Sequence, residues 1–107
     1  MITDAEIEKA LDYLRDTATK AAQARATRIY VEEYRKTVKA MLMQQHASEP
    51  LGAQEREAYA SETYRAHLKA IEAAVEDDEK YRFLREAAHA KIEAYRTFSA
   101  NVRGGKI

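Results

Sequence analysis

Ser48-Glu49-Pro50-Leu51-Gly52 holds the only proline of the chain and the only glycine before Gly104 and Gly105. Proline lacks an amide hydrogen and glycine weakens regular structure, so the pair punctuates a sequence that otherwise carries no strong helix breaker. The stretch divides the chain into two helical arms. Arm 1 runs over about 4–47, the turn over 48–52, arm 2 over about 53–102, and a tail over 103–107. At 107 residues this is a single helical domain.

Composition sets the class. Hydrophobic residues make up 46% of the chain and charged residues 34%, a mixture rich in Ala, Glu, Arg and Lys that favours helix over strand or disorder. The expected fold is all-α: a long antiparallel, coiled-coil-like helical hairpin. Thr3, with Glu6 three residues later, reads as a capping box that starts arm 1. Such an arm would be roughly 65 Å long. Gly52 or Ser48 is expected to cap arm 2, and the glycines at 104 and 105 to end it.

Charge fixes how the arms pair. Residues 1–16 are acidic, 17–47 basic, 48–79 acidic and 80–107 basic again. Folding the chain antiparallel at the turn sets each acidic block beside a basic one, and residues whose numbers sum to about 100 become neighbours. Ile29 then faces Ile71, Val31 faces Leu68, Leu14 faces Leu84, and Arg25 and Arg28 approach Glu72 and Glu76. Exposed ion pairs add only about 0–1 kcal/mol each, so their use is in specifying register.

The apolar stripes are interrupted. Ile7, Leu11, Leu14, Ala18, Ala22 and Ile29 share one face of arm 1, whereas Val31, Tyr34, Val38 and Met41 point to nearly the opposite side. On arm 2 the stripe Ala60, Tyr64, Leu68, Ile71 and Val75 gives way, past Glu76-Asp77-Asp78-Glu79, to Tyr81, Leu84, Ala88, Ile92, Tyr95, Phe98 and Val102. Arm 2 is therefore read as a continuous helix with a local irregularity near 76–79, the favoured reading because no Gly or Pro marks a reversal, with a bend or break there as the alternative. Two helices cover one seam, and a lone hairpin of this size buries little. A homodimer forming a four-helix assembly is expected. A three-helix packing within one chain is the competitor.

Function classes narrow by exclusion. Cysteine is absent, which removes disulfides, thiol nucleophiles and zinc-thiolate sites together. Basic and acidic residues number 18 each, unlike the basic excess of most nucleic-acid binders. No apolar run spans a bilayer, and the acidic start lacks the apolar core of a signal peptide, so a cytoplasmic protein without membrane contact is expected. Glu86-Ala87-Ala88-His89 has the spacing of a bundle metal ligand pair, but the facing residues Leu11, Asp12 and Leu14 do not complete a ligand set. His46 and His67 stand alone, and Ser48, Ser61 and Ser99 lack a nucleophile context. No catalytic, cofactor or metal site is expected, and no enzyme activity.

Surfaces remain. Tyr95, Phe98 and Val102 meet little apolar surface opposite, and Met41 and Met43 near the turn offer adaptable side chains; these five are the candidate partner or dimer surface. Arg82, Arg85, Arg96, Arg103 and Lys106, interleaved with aromatics, are the candidate contacts for single-stranded nucleic acid. Pairing of these cations with the acidic blocks is the competing reading and the favoured one, except for Arg96, Arg103 and Lys106, which extend to or beyond the acidic N-terminus and have the weakest claim to an acidic partner.

Two stretches carry a resemblance. Glu55-Arg56-Glu57-Ala58-Tyr59-Ala60 through Tyr64-Arg65-Ala66-His67-Leu68, and Ala90-Lys91-Ile92-Glu93-Ala94-Tyr95-Arg96-Thr97 through Asn101-Val102-Arg103, resemble small all-helical proteins of bacteriophages and prophages, found among genes of DNA recombination. The resemblance covers about the second half of the chain. It implies an accessory protein in DNA metabolism that acts through protein contacts, and it carries no functional residues.

Overall fold

The computed structural model describes residues 1–105. Those residues form three α-helices and no strand: α1 (Asp4–Gln44), α2 (Leu51–Ala60) and α3 (Glu62–Arg103). The all-α expectation holds, and so does antiparallel pairing of α1 with α3, seen separately in each of two compact units. One comprises Met1–Ala22 with Glu79–Ile107, the other Gln23–Asp78. The boundaries fall at the two places where the apolar stripes change face.

Local chemistry explains where the helices begin and end. The Thr3 hydroxyl accepts the Glu6 amide at 3.2 Å and the Thr3 carbonyl accepts the Ile7 amide at 3.1 Å, so α1 starts as expected. After Gln44 the chain tightens into successive three-residue turns, with Gln45 N–H on Leu42 O and His46 N–H on Met43 O. The start of α2 differs from expectation. Neither Ser48 nor Gly52 caps it; Pro50 takes the cap position, and its carbonyl accepts the amides of Ala53 and Gln54, each at 3.0 Å. The Gln54 side-chain amide reaches back to the Glu49 carbonyl at 2.8 Å and closes the turn. Gly52 is a residue of α2 with open space where a Cβ would stand.

The second arm is broken, but at Ser61 rather than at 76–79, which lie inside α3. Ser61 is extended (φ −73°, ψ 152°), and its hydroxyl does two jobs. It donates to the Ala58 carbonyl at 2.9 Å and accepts the Tyr64 amide at 3.1 Å, so one side chain ends α2 and caps α3. At the far end, Gly104 N–H returns to Ala100 O and Gly105 N–H to Val102 O. Gly105 takes φ +71°, the left-handed conformation that only glycine adopts freely.

In the unit Gln23–Asp78 the core is Val38, Leu42, Ala58 and Tyr64, with Met43 packed against it. Ala58 is fully enclosed, which lets the short α2 approach closely. The register is set by polar contacts. His67 Nε2 donates to the Val31 carbonyl at 2.8 Å, and the Arg28 guanidinium meets Asp78 at 3.2 Å and Glu32 at 2.7 Å. Since a carbonyl can only accept, the bond places the His67 proton on Nε2. Val31 with His67 sums to 98, close to the expected 100. Arg28 reaches Asp78 and Glu32, and one finer pairing changes: Ile29 turns outward with 53% of its surface exposed instead of facing Ile71.

Among the described residues of the other unit no side chain larger than alanine is buried: only Ala10 and Ala88 are. Ile7, Leu14, Ile92 and Phe98 are half-buried, and Leu11, Phe83, Leu84 and Val102 are exposed. Polar bonds again fix the register. The Arg85 guanidinium donates to the Leu14 carbonyl and to Thr17 Oγ1, both at 2.9 Å, and the Tyr95 hydroxyl donates to the Asp4 carboxylate at 2.5 Å. Asp4 with Tyr95, and Leu14 with Arg85, each sum to 99.

Candidate interaction surface

The two sets of candidate residues have different fates. Of the partner-surface set, Met43 joins the core of its unit, while Met41 is 53% exposed; two residues apart on a helix, they point to different sides. Met41, one of the five candidate contact residues, is thus a surface residue. Tyr95 is half-buried and held by Asp4, which lowers its freedom to rearrange around a partner. That hydrogen bond, and the repulsion between the Asp4 carboxylate and a phenolate, push the Tyr95 pKa up. Phe98 and Tyr95 line an open cleft of ≈ 250 Å³ together with Met1, Ile2 and Ala94, and Val102 is exposed beyond it.

The cations are mostly engaged. Arg82 binds Glu79 at 2.6 Å and Glu86 at 3.0 Å and lies over the Phe83 ring at 4.6 Å. Arg96 binds Glu93 at 2.9 Å, and Arg85 spends its guanidinium on α1. Among the described residues of this set, Arg103 alone makes no such bond; Lys106 lies outside the described residues. Arg82, Arg96 and Arg103 still share one face of α3, because they fall at multiples of seven residues. The intrahelical carboxylates leave that face weakly charged.

The histidines and carboxylates do not converge. Among the described residues no three His, Asp or Glu side chains come together in a way that would hold a metal ion. Glu86 of the Glu-x-x-His pair is tied to Arg82, and His89 is exposed. His46 sits 3.5 Å from Glu49 beside the turn. Among the described residues no helix is long and apolar enough to cross a membrane.

What the structure does present is exposed aromatic and aliphatic surface. In the unit Gln23–Asp78, Tyr30 stacks on Tyr34 at 5.7 Å, and Tyr34 lies 5.9 Å from the His67 ring, so this aromatic row borders α3. Tyr30 is 67% exposed. No family model matches this chain, and no curated protein or solved structure matches it either. The functional reading therefore rests on these surfaces.

Sequence reasoning missed two features. Ser61 carries no acidic or amide partner three residues on, so the usual capping-box signature was missing and its cap role was not flagged. The second is the row that Tyr30 forms with Tyr34 and Met41 along one side of α1. The 3-4 spacing of Tyr30, Tyr34, Thr37 and Met41 was the signal that could have found the row.

Proposed function

We propose that this chain is a non-enzymatic helical interaction protein, a self-associating coiled-coil-like module that works by presenting helix faces to protein partners in the cytoplasm. One observation carries the reading: large apolar side chains stand exposed on both units while few residues are buried. Leu11, Phe83 and Leu84 on one unit, and Ile29, Tyr30 and Met41 on the other, are each between 46% and 67% exposed. Apolar surface of this extent marks contact sites on soluble helical proteins. The likeness of the second half to small phage and prophage proteins adds a setting, an accessory role in DNA metabolism or recombination exerted through protein contacts.

The test is affinity capture from host extract with the immobilised full chain, with identification of what is retained. Retention of a defined protein that survives high salt supports an apolar helix-face contact. A wild-type chain that neither self-associates nor retains any protein refutes the reading.

Single-stranded DNA binding is the second reading, favoured by the shared face of Arg82, Arg96 and Arg103 and the open position of Arg103. Each phosphate contact on a single strand contributes about 0.7 to the slope of log affinity against log salt. Arg96→Ala with Arg103→Ala would then reduce the slope by about 1.4. Absence of binding at low salt removes this reading.

A further inference from the structure

The inference below rests on the proposed interaction role and names the occupant of one surface. In the unit Gln23–Asp78, one side of α1 carries Thr27, Tyr30, Tyr34, Thr37 and Met41 at alternating 3- and 4-residue spacing, bounded by Gln23 and Gln44. Not one of these residues is charged, in a chain whose residues are 34% charged. Tyr30, Met41 and Tyr34 are 67%, 53% and 38% exposed. The neighbouring side of α3 carries Thr63, Ala66, Ala70 and Ala74, again uncharged, with Ala66 and Ala70 exposed. The Tyr34–His67 ring contact shows that the two rows border each other on the same side of the unit.

The face is therefore a ridge of large side chains on one helix beside a shelf of alanines on the other. That combination is self-complementary, and we infer that two copies of the chain pair through it. Turning a second copy by 180° about an axis parallel to the helices lays α1 of one copy along α3 of the other. Heights are preserved by this rotation, so the register seen within the unit carries across. Tyr30 comes over Ala70 of the second copy and Tyr34 over its Ala66, and the reverse pairs form by symmetry. Tyrosine seats on alanine without a charge being desolvated.

Size sets the strength of this pairing. The uncharged rows are about 21 Å long on α1 (Thr27–Met41) and about 17 Å long on α3 (Thr63–Ala74), and two packed helices are about 20 Å wide, giving about 400 Å² per copy and 800 Å² in all. That is the size of a weak pair, one that forms at tens of micromolar and dissociates on dilution. Pairing would also supply the covering layer that this thin core lacks.

Light scattering on the full chain at tens of micromolar tests the inference. The expected mass is twice the 12.2 kDa of one chain for the wild type and for Ala40→Glu, whose exposed site lies on another side of α1. Ala70→Glu places a carboxylate at the centre of the face, and its mass is expected to fall to 12.2 kDa with unchanged helical circular dichroism. A wild-type mass of 12.2 kDa, or an Ala70→Glu chain that stays paired, overturns the inference. A wild-type monomer that still retains a defined protein partner refutes self-pairing and leaves the interaction role standing. A monomer that retains nothing refutes both.

Discussion

Replacing Ser61 by alanine removes the single hydroxyl that joins α2 to α3. The Tyr64 amide loses its acceptor at 3.1 Å, and the Ala58 carbonyl loses a donor at 2.9 Å but keeps the Ser61 amide at 3.3 Å. The unpaired group is thus the first-turn amide of α3, and losing an N-cap side chain costs about 1 kcal/mol, within a span of about 0.5–2. For a chain of this length that lowers the midpoint of thermal unfolding by roughly 4 °C. Ser61→Asp separates the two roles of the hydroxyl. It keeps an acceptor for Tyr64 and suits the positive end of α3, but it cannot donate to Ala58. If capping dominates, Ser61→Asp unfolds close to wild type and Ser61→Ala well below it, as followed by circular dichroism. A near-ultraviolet signal from the edge-on Tyr59–Tyr64 pair, whose rings lie 5.1 Å apart, reports whether α2 keeps its place. Ser61→Ala as stable as wild type would show that the break is imposed by packing of Ala58 and Tyr64, not by the cap.

Three further outcomes follow from single positions. Gly52→Ala is expected to stabilise the chain by about 0.5–1 kcal/mol in urea unfolding, because the glycine is helical and the space for its Cβ is open. Tyr13→Phe is expected to leave stability unchanged or to raise it by about 1 kcal/mol, since the Tyr13 hydroxyl is enclosed without a hydrogen-bond partner. The raised pKa of Tyr95 means that the folded state holds the phenol proton more tightly than the unfolded chain does. Its contribution to stability is therefore present below the ordinary tyrosine pKa of about 10 and lost as pH rises through the folded value. A tyrosinate absorbance titration should show one late tyrosine that Asp4→Asn returns to the ordinary range.

The fold class and the pairing register were legible because both depend on long-range patterns that survive local error. Blocks of charge tens of residues long specify antiparallel neighbours whatever any one side chain does, and Leu14 with Arg85 and Val31 with His67 land where those blocks put them. The changes of apolar face were legible too, and they coincide with the unit boundaries at residues 22–23 and 78–79. Of the two readings of 76–79, the continuous helix holds and the break does not: α3 runs through these residues without interruption. Ile29 was misplaced. It was assigned to the first stripe, but the switch occurs before it, and the inward row of its unit reads Ala24, Val31, Val38 and Leu42.

Short-range polar chemistry was the part least legible. Ser61 breaks the arm through two hydrogen bonds that leave no trace in hydropathy, and Pro50 rather than a serine or glycine opens α2 because its carbonyl, not a side chain, receives the first amides. The candidate surfaces divided along the same line. The basic residues on α3 could be named from the sequence, but their partners Glu79, Glu86 and Glu93 lie three or four residues away on the same helix, and that spacing neutralises them locally. The uncharged face of the Gln23–Asp78 unit was visible only in pieces. Met41 is one of the five candidate contact residues and Tyr34 belongs to an apolar stripe, while Tyr30, Ala66 and Ala70 become informative only once α3 is seen beside α1.

The most direct test of the account uses the absence of native cysteine. Thr27 and Ala74 both lie on the inner edge of the uncharged face, and their numbers sum to 101. In the proposed pair they stand at the same height on facing helices of the two copies, and a disulfide forms only where two Cα atoms come within about 7 Å. A tagged Thr27→Cys chain mixed with an untagged Ala74→Cys chain under mild oxidation is predicted to give the mixed disulfide as the dominant product, with little of either self-linked species. Equal yields of all three species, or no linked species at concentrations where the wild type is paired, would contradict it.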